Sequence, residues 1–154
     1  MQKRYRPNVA AVVLSHKYPL KCEIFIANRT DLNEVWQFPQ GGIDENESPK
    51  EALLRELKEE IGTDDVVVLD EYPEWLSYDF PSGASKKMYN YDGQTQKYFL
   101  VRLNAGARIN LNTKHPEFSR YKFVSVKDVL GDINNFKKPI YTKVLTYFKE
   151  KGFF

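Results

Sequence analysis

The chain is poor in the residues that build covalent or soft-metal scaffolds. It has one cysteine, Cys22, and two histidines, His16 and His115, in 154 residues. A lone cysteine closes no internal disulfide and supplies no multi-thiolate zinc site. Neither histidine has a histidine or cysteine partner at ligand spacing, so both are expected on exposed loops. Long apolar runs are missing too. Nothing approaches the ~20 residues of a membrane span, and the basic stretch from Met1 to Asn8 lacks the apolar core of a secretion signal. Net charge is slight, +2 from 23 bases and 21 acids, so the total names no partner. Disulfide scaffold, zinc ribbon and membrane protein are excluded. The expectation is a soluble cytoplasmic domain, a monomer with no obligate protein partner.

What is present is an ordinary globular balance, 42% hydrophobic and 29% charged. A chain of this length buries roughly two-thirds of its unfolded surface, enough for a core. No repeat, low-complexity tract or linker divides it, so one domain over 1–154 is expected. The charge, however, is unevenly spread. Between Asp44 and Glu60 seven acids face three bases, a local −4, leaving +6 for the rest of the chain. An acidic focus in a basic body suits a cation held at one point and an anionic ligand around it. The alternative is a solvated acidic helix face.

Runs rich in β-formers predict strands at Asn8 to Leu14, Cys22 to Ala27, Trp36 to Phe38, Val66 to Leu69, Lys97 to Leu103 and Tyr121 to Val124. A turn is expected from His16 to Leu20. Pro49 to Ile61 reads as a helix: Ser48 caps it, Glu51 completes a Ser-x-x-Glu box, and Gly62 supplies the left-handed stop. A second helix is expected after Ser125, failing near Gly131. A third is marked by Ile140, Val144 and Phe148 at four-residue spacing. Tyr78 to Gln96 reads as a long loop, and Trp36 and Trp75 as core or cleft wall. Strands interspersed with helices predict a mixed sheet packed between helices, an α/β (α+β) fold.

On a wheel advancing about 100° per residue from Leu53, the side chains of Leu53, Leu57, Ile61 and Leu54 form one apolar stripe over roughly 0–100°. Glu59, Glu56 and Glu60 fall at about 240°, 300° and 340°, on an adjoining face. Like charges at i+3 and i+4 oppose a helix by ~0.2–0.5 kcal/mol a pair. Arg55 reaches Glu59 but cannot neutralise all three. A hard divalent cation can, and oxygen-only donors suit Mg²⁺ or Mn²⁺. Upstream, Gln40-Gly41-Gly42-Ile43-Asp44 places adjacent glycines where a backbone turns or approaches a ligand.

Taken together the pattern is Gly41-x5-Glu47-x7-Arg55-Glu56-Leu57-x-Glu59-Glu60-x-Gly62. It resembles the signature box of the Nudix hydrolases, which cleave a nucleoside diphosphate linked to another group with divalent metal. Thr63 departs from the aliphatic residue usual after the box. Tyr5-Arg6-Pro7-Asn8-Val9, Trp36-Gln37-Phe38-Pro39-Gln40, Gln94 to Phe99 and Pro116-Glu117-Phe118 resemble the family's bacterial RNA pyrophosphohydrolase branch, kin of the dinucleoside polyphosphate hydrolases.

That resemblance implies the Nudix fold and a metal-dependent hydrolase. Its substrates would be RNA 5′-triphosphate ends or, alternatively, dinucleoside polyphosphates such as diadenosine tetraphosphate. It implies Glu56, Glu59, Glu60 and Glu117 as catalytic metal ligands with help from the Gly41 carbonyl, and more than one Mg²⁺ or Mn²⁺ ion. Glu56 is the favoured base, with Glu117 the other candidate. Glu47 and Arg55 would brace the box, and Arg6, Arg29, Gln40, Tyr78, Lys97, Phe136 and Lys137 would contact substrate. A non-catalytic nucleotide sensor on the same scaffold is the competing class. Three mutually repelling glutamates argue against it.

Overall fold

A computed structural model describes residues 3–30, 35–81 and 91–154. Its strands are β1 (Tyr5–Leu14), β2 (Glu23–Arg29), β3 (Trp36–Gln37), β4 (Gln40–Gly42), β5 (Val66–Glu71), β6 (Leu76–Asp79), β7 (Gly93–Leu103) and β8 (Phe118–Ser125). Helix α1 spans Pro49–Ile61 and α2 spans Lys138–Glu150. The sheet is mixed. β1 runs parallel to β7 from Tyr5 opposite Gly93 to Leu14 opposite Arg102, while the other pairings are antiparallel.

Period-two alternation gives each face of the sheet its own core. Val9, Ala11 and Val13 join Phe99, Val101 and Leu103 beneath Leu53, Leu57 and Ile61 of α1. Ala10, Val12 and Leu14 join Tyr98 and Leu100 beneath Tyr141, Val144, Leu145 and Phe148 of α2. Because both faces are covered, β1 reads as a continuous apolar run from Val9 to Leu14. The sheet lies between the two helices, as the sequence predicts.

Several expectations need correction. The helix expected after Ser125 is only a 3-10 turn, Val129–Asp132. Asp128 makes no side-chain cap there, and Gly131 with Asp132 weakens any longer helix. The long loop is shorter than expected, because Tyr78 lies in β6 and Gly93 to Gln96 lie in β7; what the expectation placed on 82–90 lies outside the described residues. β4 was not expected. Its Gln40, Gly41 and Gly42 pair antiparallel with Ala10, Val9 and Asn8 of β1. Trp36 packs against the α2-side core, but Trp75 is 45% exposed, outside core and cleft alike. His16 and His115 are both exposed. No helix among the described residues is long and apolar enough to cross a membrane.

Candidate active site

Both ends of α1 are tied down. Glu51 N–H donates to Ser48 Oγ at 3.1 Å, and Ser48 N–H donates to Glu51 Oε1 at 2.9 Å. Gly62 ends the helix at φ 81°. With caps fixed and the apolar stripe buried, the rotation of α1 is set, and with it the direction of each glutamate. Glu60 is 7% exposed and Glu56 half-buried, and both line a cavity of about 660 Å³. Glu59 does not line it. It sits farther round the helix, with a side chain 58% exposed and turned to Arg55 Nη1 at 3.2 Å.

The other residues of the cavity come from separate places along the chain. β4 supplies Gln40 and Gly41, the ends of β1 and β2 supply Arg6 and Arg29, and the residue before β8 is Glu117. Phe136 and Lys137 precede α2, and Tyr78 projects from β6. Tyr78 and Phe136 rings lie 5.3 Å apart, and Lys137 Nζ stands 5.7 Å from the Tyr78 ring centroid. Tyr78 O–H donates to Gln94 Oε1 at 2.5 Å. Of the expected substrate contacts, only Lys97 is elsewhere. It lies outside the cavity, donating to the Tyr72 carbonyl at 2.7 Å and pairing with Glu71 at 3.5 Å. Sequence reasoning passed over Asn8, Gln37, Gln94 and Asn135, which also line the cavity. No local signal marked them, since polar residues fill the first half of β7 and the others lie on separate elements.

Arg55 organises the acids around it. Its Nε and Nη2 hold the two Glu47 carboxylate oxygens at 2.7 and 2.8 Å, the bidentate geometry that guanidinium favours. Nη2 also donates to the Gly42 carbonyl at 2.8 Å, and Nη1 to Glu56 Oε1 at 2.8 Å. Glu47 closes the loop by accepting from Asp44 N–H at 2.9 Å. The Arg55 hydrogen bonds hold the Glu47 carboxyl down at about 2. Arg55 is itself shifted upward, chiefly by Glu47.

The cavity groups are displaced the opposite way. Burial raises the Glu56 carboxyl and raises that of Glu60 well above its ordinary range, with Glu56 and Glu117 adding to the Glu60 shift. Gln40 N–H opposes it, donating to Glu60 Oε1 at 3.0 Å. Burial and then Arg29 pull the Lys137 amine down to about 7, while Glu60 and Glu117 pull it up. Burial also pushes the Tyr78 phenol upward.

Among the described residues no three acidic, histidine or cysteine side chains close around a single point. The carboxylates of Glu56, Glu60 and Glu117 stand apart around the cavity, with Arg55 against the first. The set nonetheless fits a hard divalent cation. Its donors are all oxygen, and burial makes a second positive charge beside Glu60 favourable.

The NUDIX domain family matches residues 4–144. An RNA pyrophosphohydrolase of Campylobacter jejuni is 68% identical over 152 residues, covering 99% of this chain and 97% of that one. One of Nitratiruptor is 65% identical and one of Helicobacter pylori 54% identical, each over 153 residues and 99% of both chains. Among solved structures, a C. elegans Ap4A hydrolase complex superposes with a TM-score of 0.72 at 19% identity, covering 94% of this chain and 96% of that one. The E. coli dihydroneopterin triphosphate pyrophosphohydrolase gives 0.69 at 18% identity, covering 88% and 92%. These distant likenesses speak for the fold; the family match over most of the chain makes it a member of the Nudix hydrolases.

Proposed function

We propose that this chain is an RNA pyrophosphohydrolase, removing pyrophosphate from the 5′-triphosphate end of RNA and leaving a 5′-monophosphate, a product open to further decay. The observation that carries the chemistry is one cavity lined by three carboxylates, Glu56, Glu60 and Glu117, and three cationic side chains, Arg6, Arg29 and Lys137. A polyphosphate needs both. Cationic groups meet its oxygens directly, and carboxylates hold the divalent metal that shields the remainder. RNA as the substrate class comes from relatives 54–68% identical along nearly the whole chain. A cytoplasmic setting goes with that substrate.

Mg²⁺ or Mn²⁺, as more than one ion, would be held by Glu56, Glu60, Glu117 and the Gly41 carbonyl, joined by Glu59 once its side chain leaves Arg55, and when bound would supply charge neutralisation and activation of water. The chain's own groups do the rest. Glu56, half-buried and raised in pKa, accepts the proton of the attacking water as that water's oxygen bonds to phosphorus. The anhydride P–O bond opposite breaks, and pyrophosphate leaves with the electron pair. Arg6, Arg29 and Lys137 offset the negative charge of the phosphate oxygens throughout. Arg55 and Glu47 keep Glu56 from swinging away. Tyr78 and Phe136 offer an aromatic wall on which a terminal base stacks, while Gln40 and Gln94 present amides beside it.

The test compares triphosphorylated RNA with diadenosine tetraphosphate, each with Mg²⁺ and with chelator. Metal-dependent release of pyrophosphate from RNA, at higher kcat/KM than hydrolysis of the dinucleotide, is expected. Efficient dinucleotide cleavage with RNA left intact would replace this reading by that of a dinucleoside polyphosphate hydrolase.

A further inference from the structure

Gln96 is wholly buried in β7, outside the cavity wall, yet every polar atom of its amide is engaged. Tyr98 O–H donates to its Oε1 at 2.8 Å. Its Nε2 donates to Asn8 Oδ1 at 2.8 Å and to Gln40 Oε1 at 2.6 Å. Gln40 then passes the constraint on through its main chain, whose N–H donates to Glu60 Oε1 at 3.0 Å. We propose that Gln96 is a positioning residue for Glu60, fixing Gln40 so that its N–H holds the Glu60 carboxylate toward the cavity. The proposal rests on Glu60 being a metal ligand.

Two physical features make such an anchor necessary. β4 is only three residues long and, among the described residues, pairs with β1 alone, so few ladder hydrogen bonds hold Gln40 in place. Glu60 is buried next to Glu56 and faces Glu117, and like charge drives its carboxylate away from both. A directional donor at fixed range counters that drift, provided the donor does not move. Gln96 ties Gln40 to Asn8 and Tyr98, on the two central strands of the sheet. Without its amide, the side chains of buried Asn8 and Tyr98 and of half-buried Gln40 lose a partner together, so the network is held or lost as a unit.

The prediction is specific because Gln96 does not face the substrate. Gln96→Met keeps length and volume but removes the amide. Mn²⁺ binding to the substrate-free protein, followed by the paramagnetic signal of the ion, is expected to weaken by about tenfold or more, the usual cost of disturbing a group that orients a ligand. kcat on RNA falls in parallel, while KM changes only through the freed Gln40 side chain at the cavity wall. Val12→Ala, a core truncation in β1, lowers Tm without moving Mn²⁺ affinity. In a Glu60→Gln background the added Gln96→Met change has no further effect on Mn²⁺ affinity. Unchanged Mn²⁺ affinity in folded Gln96→Met, or an equal loss in the Glu60→Gln background, overturns the proposal. If Gln96→Met does not fold, Tyr98→Phe removes only the outer donor, and about threefold weaker Mn²⁺ binding is expected; no change overturns it equally. Since Mn²⁺ binding needs no substrate, failure to cleave RNA would count against the substrate reading and leave this result standing.

Discussion

The carboxyl group of Glu56 fills the space that a side chain on Gly41 would need. A Cβ built on Gly41 would stand 1.9 Å from Glu56 Cδ and 2.1 Å from its Oε2. β4 therefore runs directly against the carboxylate, and the glycine is required by that contact. The clash falls on the far end of a flexible side chain, so Gly41→Ala can relieve it by moving Glu56 with little cost to the fold. Expected is a Tm within a few degrees of wild type with kcat lower by about 10²-fold, the effect of misplacing a catalytic group by an ångström. A large fall in Tm with activity per folded molecule preserved would refute the argument.

Glu56→Gln tests the proton acceptor itself. The amide keeps the shape and cannot take a proton, so turnover is expected to fall by ~10²–10⁴ with the fold intact. Chelator is expected to abolish activity in the wild type, with added Mg²⁺ or Mn²⁺ restoring it. Near-normal turnover of Glu56→Gln at saturating metal would transfer the base to Glu117.

How much of this was legible in the chain is clearest at α1. Its bounds, both caps and the directions of Glu56 and Glu60 follow from local rules, because capping and a 3.6-residue period act within one helix. Glu59 did not follow. Its angle and its pairing with Arg55 at i−4 are local, but whether a side chain faces cavity or solvent depends on where β4 lies, which no local spacing shows. β4 was hidden for a related reason: a three-residue Gln-Gly-Gly strand has no β-propensity of its own and forms only because β1 offers Asn8 to Ala10. Gln96 was invisible too, since a buried amide declares itself only through partners on other strands. Lys97 shows the converse error, a basic residue at a suggestive position whose tertiary partners lie elsewhere.

The paired Glu47 carboxyl makes stability depend on pH at the acid end. Its folded value is about 2 against an ordinary 4.5. The unfolded chain therefore binds the proton first as pH falls. The Arg55 contact contributes fully above about pH 4.5 and is lost between there and about pH 2. Tm of wild type should drop through that window more steeply than Tm of Glu47→Gln. Parallel curves would show that the contact carries no pH-dependent stability.

Lys137 gives a slope of the same sign at the basic end, because its folded value is also lowered. Burial lowers its amine from 10.5 to about 7, so between those values the unfolded state holds a proton that the folded state has released. Stability of the wild type relative to Lys137→Met should rise from about pH 7 to about pH 10.5, with the buried charge costing most below that range. Binding of a triphosphate near pH 8 should draw the proton back, since an anion favours the charged amine. Calorimetry in buffers of different ionisation heat reads that uptake directly. Wild type is expected to take up close to one proton more than Lys137→Met, and equal uptake would remove Lys137 from the phosphate site.

The last comparison sets Phe136 against Lys97. Both are basic-or-aromatic candidates for RNA contact by sequence, but the fold separates them. Phe136 is 48% exposed on the cavity wall beside Tyr78, whereas Lys97 Nζ is spent on the Tyr72 carbonyl and Glu71. Phe136→Ala should leave the carboxylates and metal response unchanged while weakening RNA binding by roughly fivefold to more than a hundredfold, the worth of one stacked base at ~1–3 kcal/mol. Lys97→Ala should leave KM for RNA unchanged and lower Tm modestly, because it removes a tie between β7 and the chain following β5. Measuring KM, kcat and Tm for both variants on triphosphorylated RNA and on diadenosine tetraphosphate separates the roles. A KM effect for Lys97→Ala equal to that of Phe136→Ala would mean that RNA extends over the β7 surface as well as into the cavity. Equal, small effects of Phe136→Ala on both substrates would leave the metal chemistry intact and take the stacking role from Phe136.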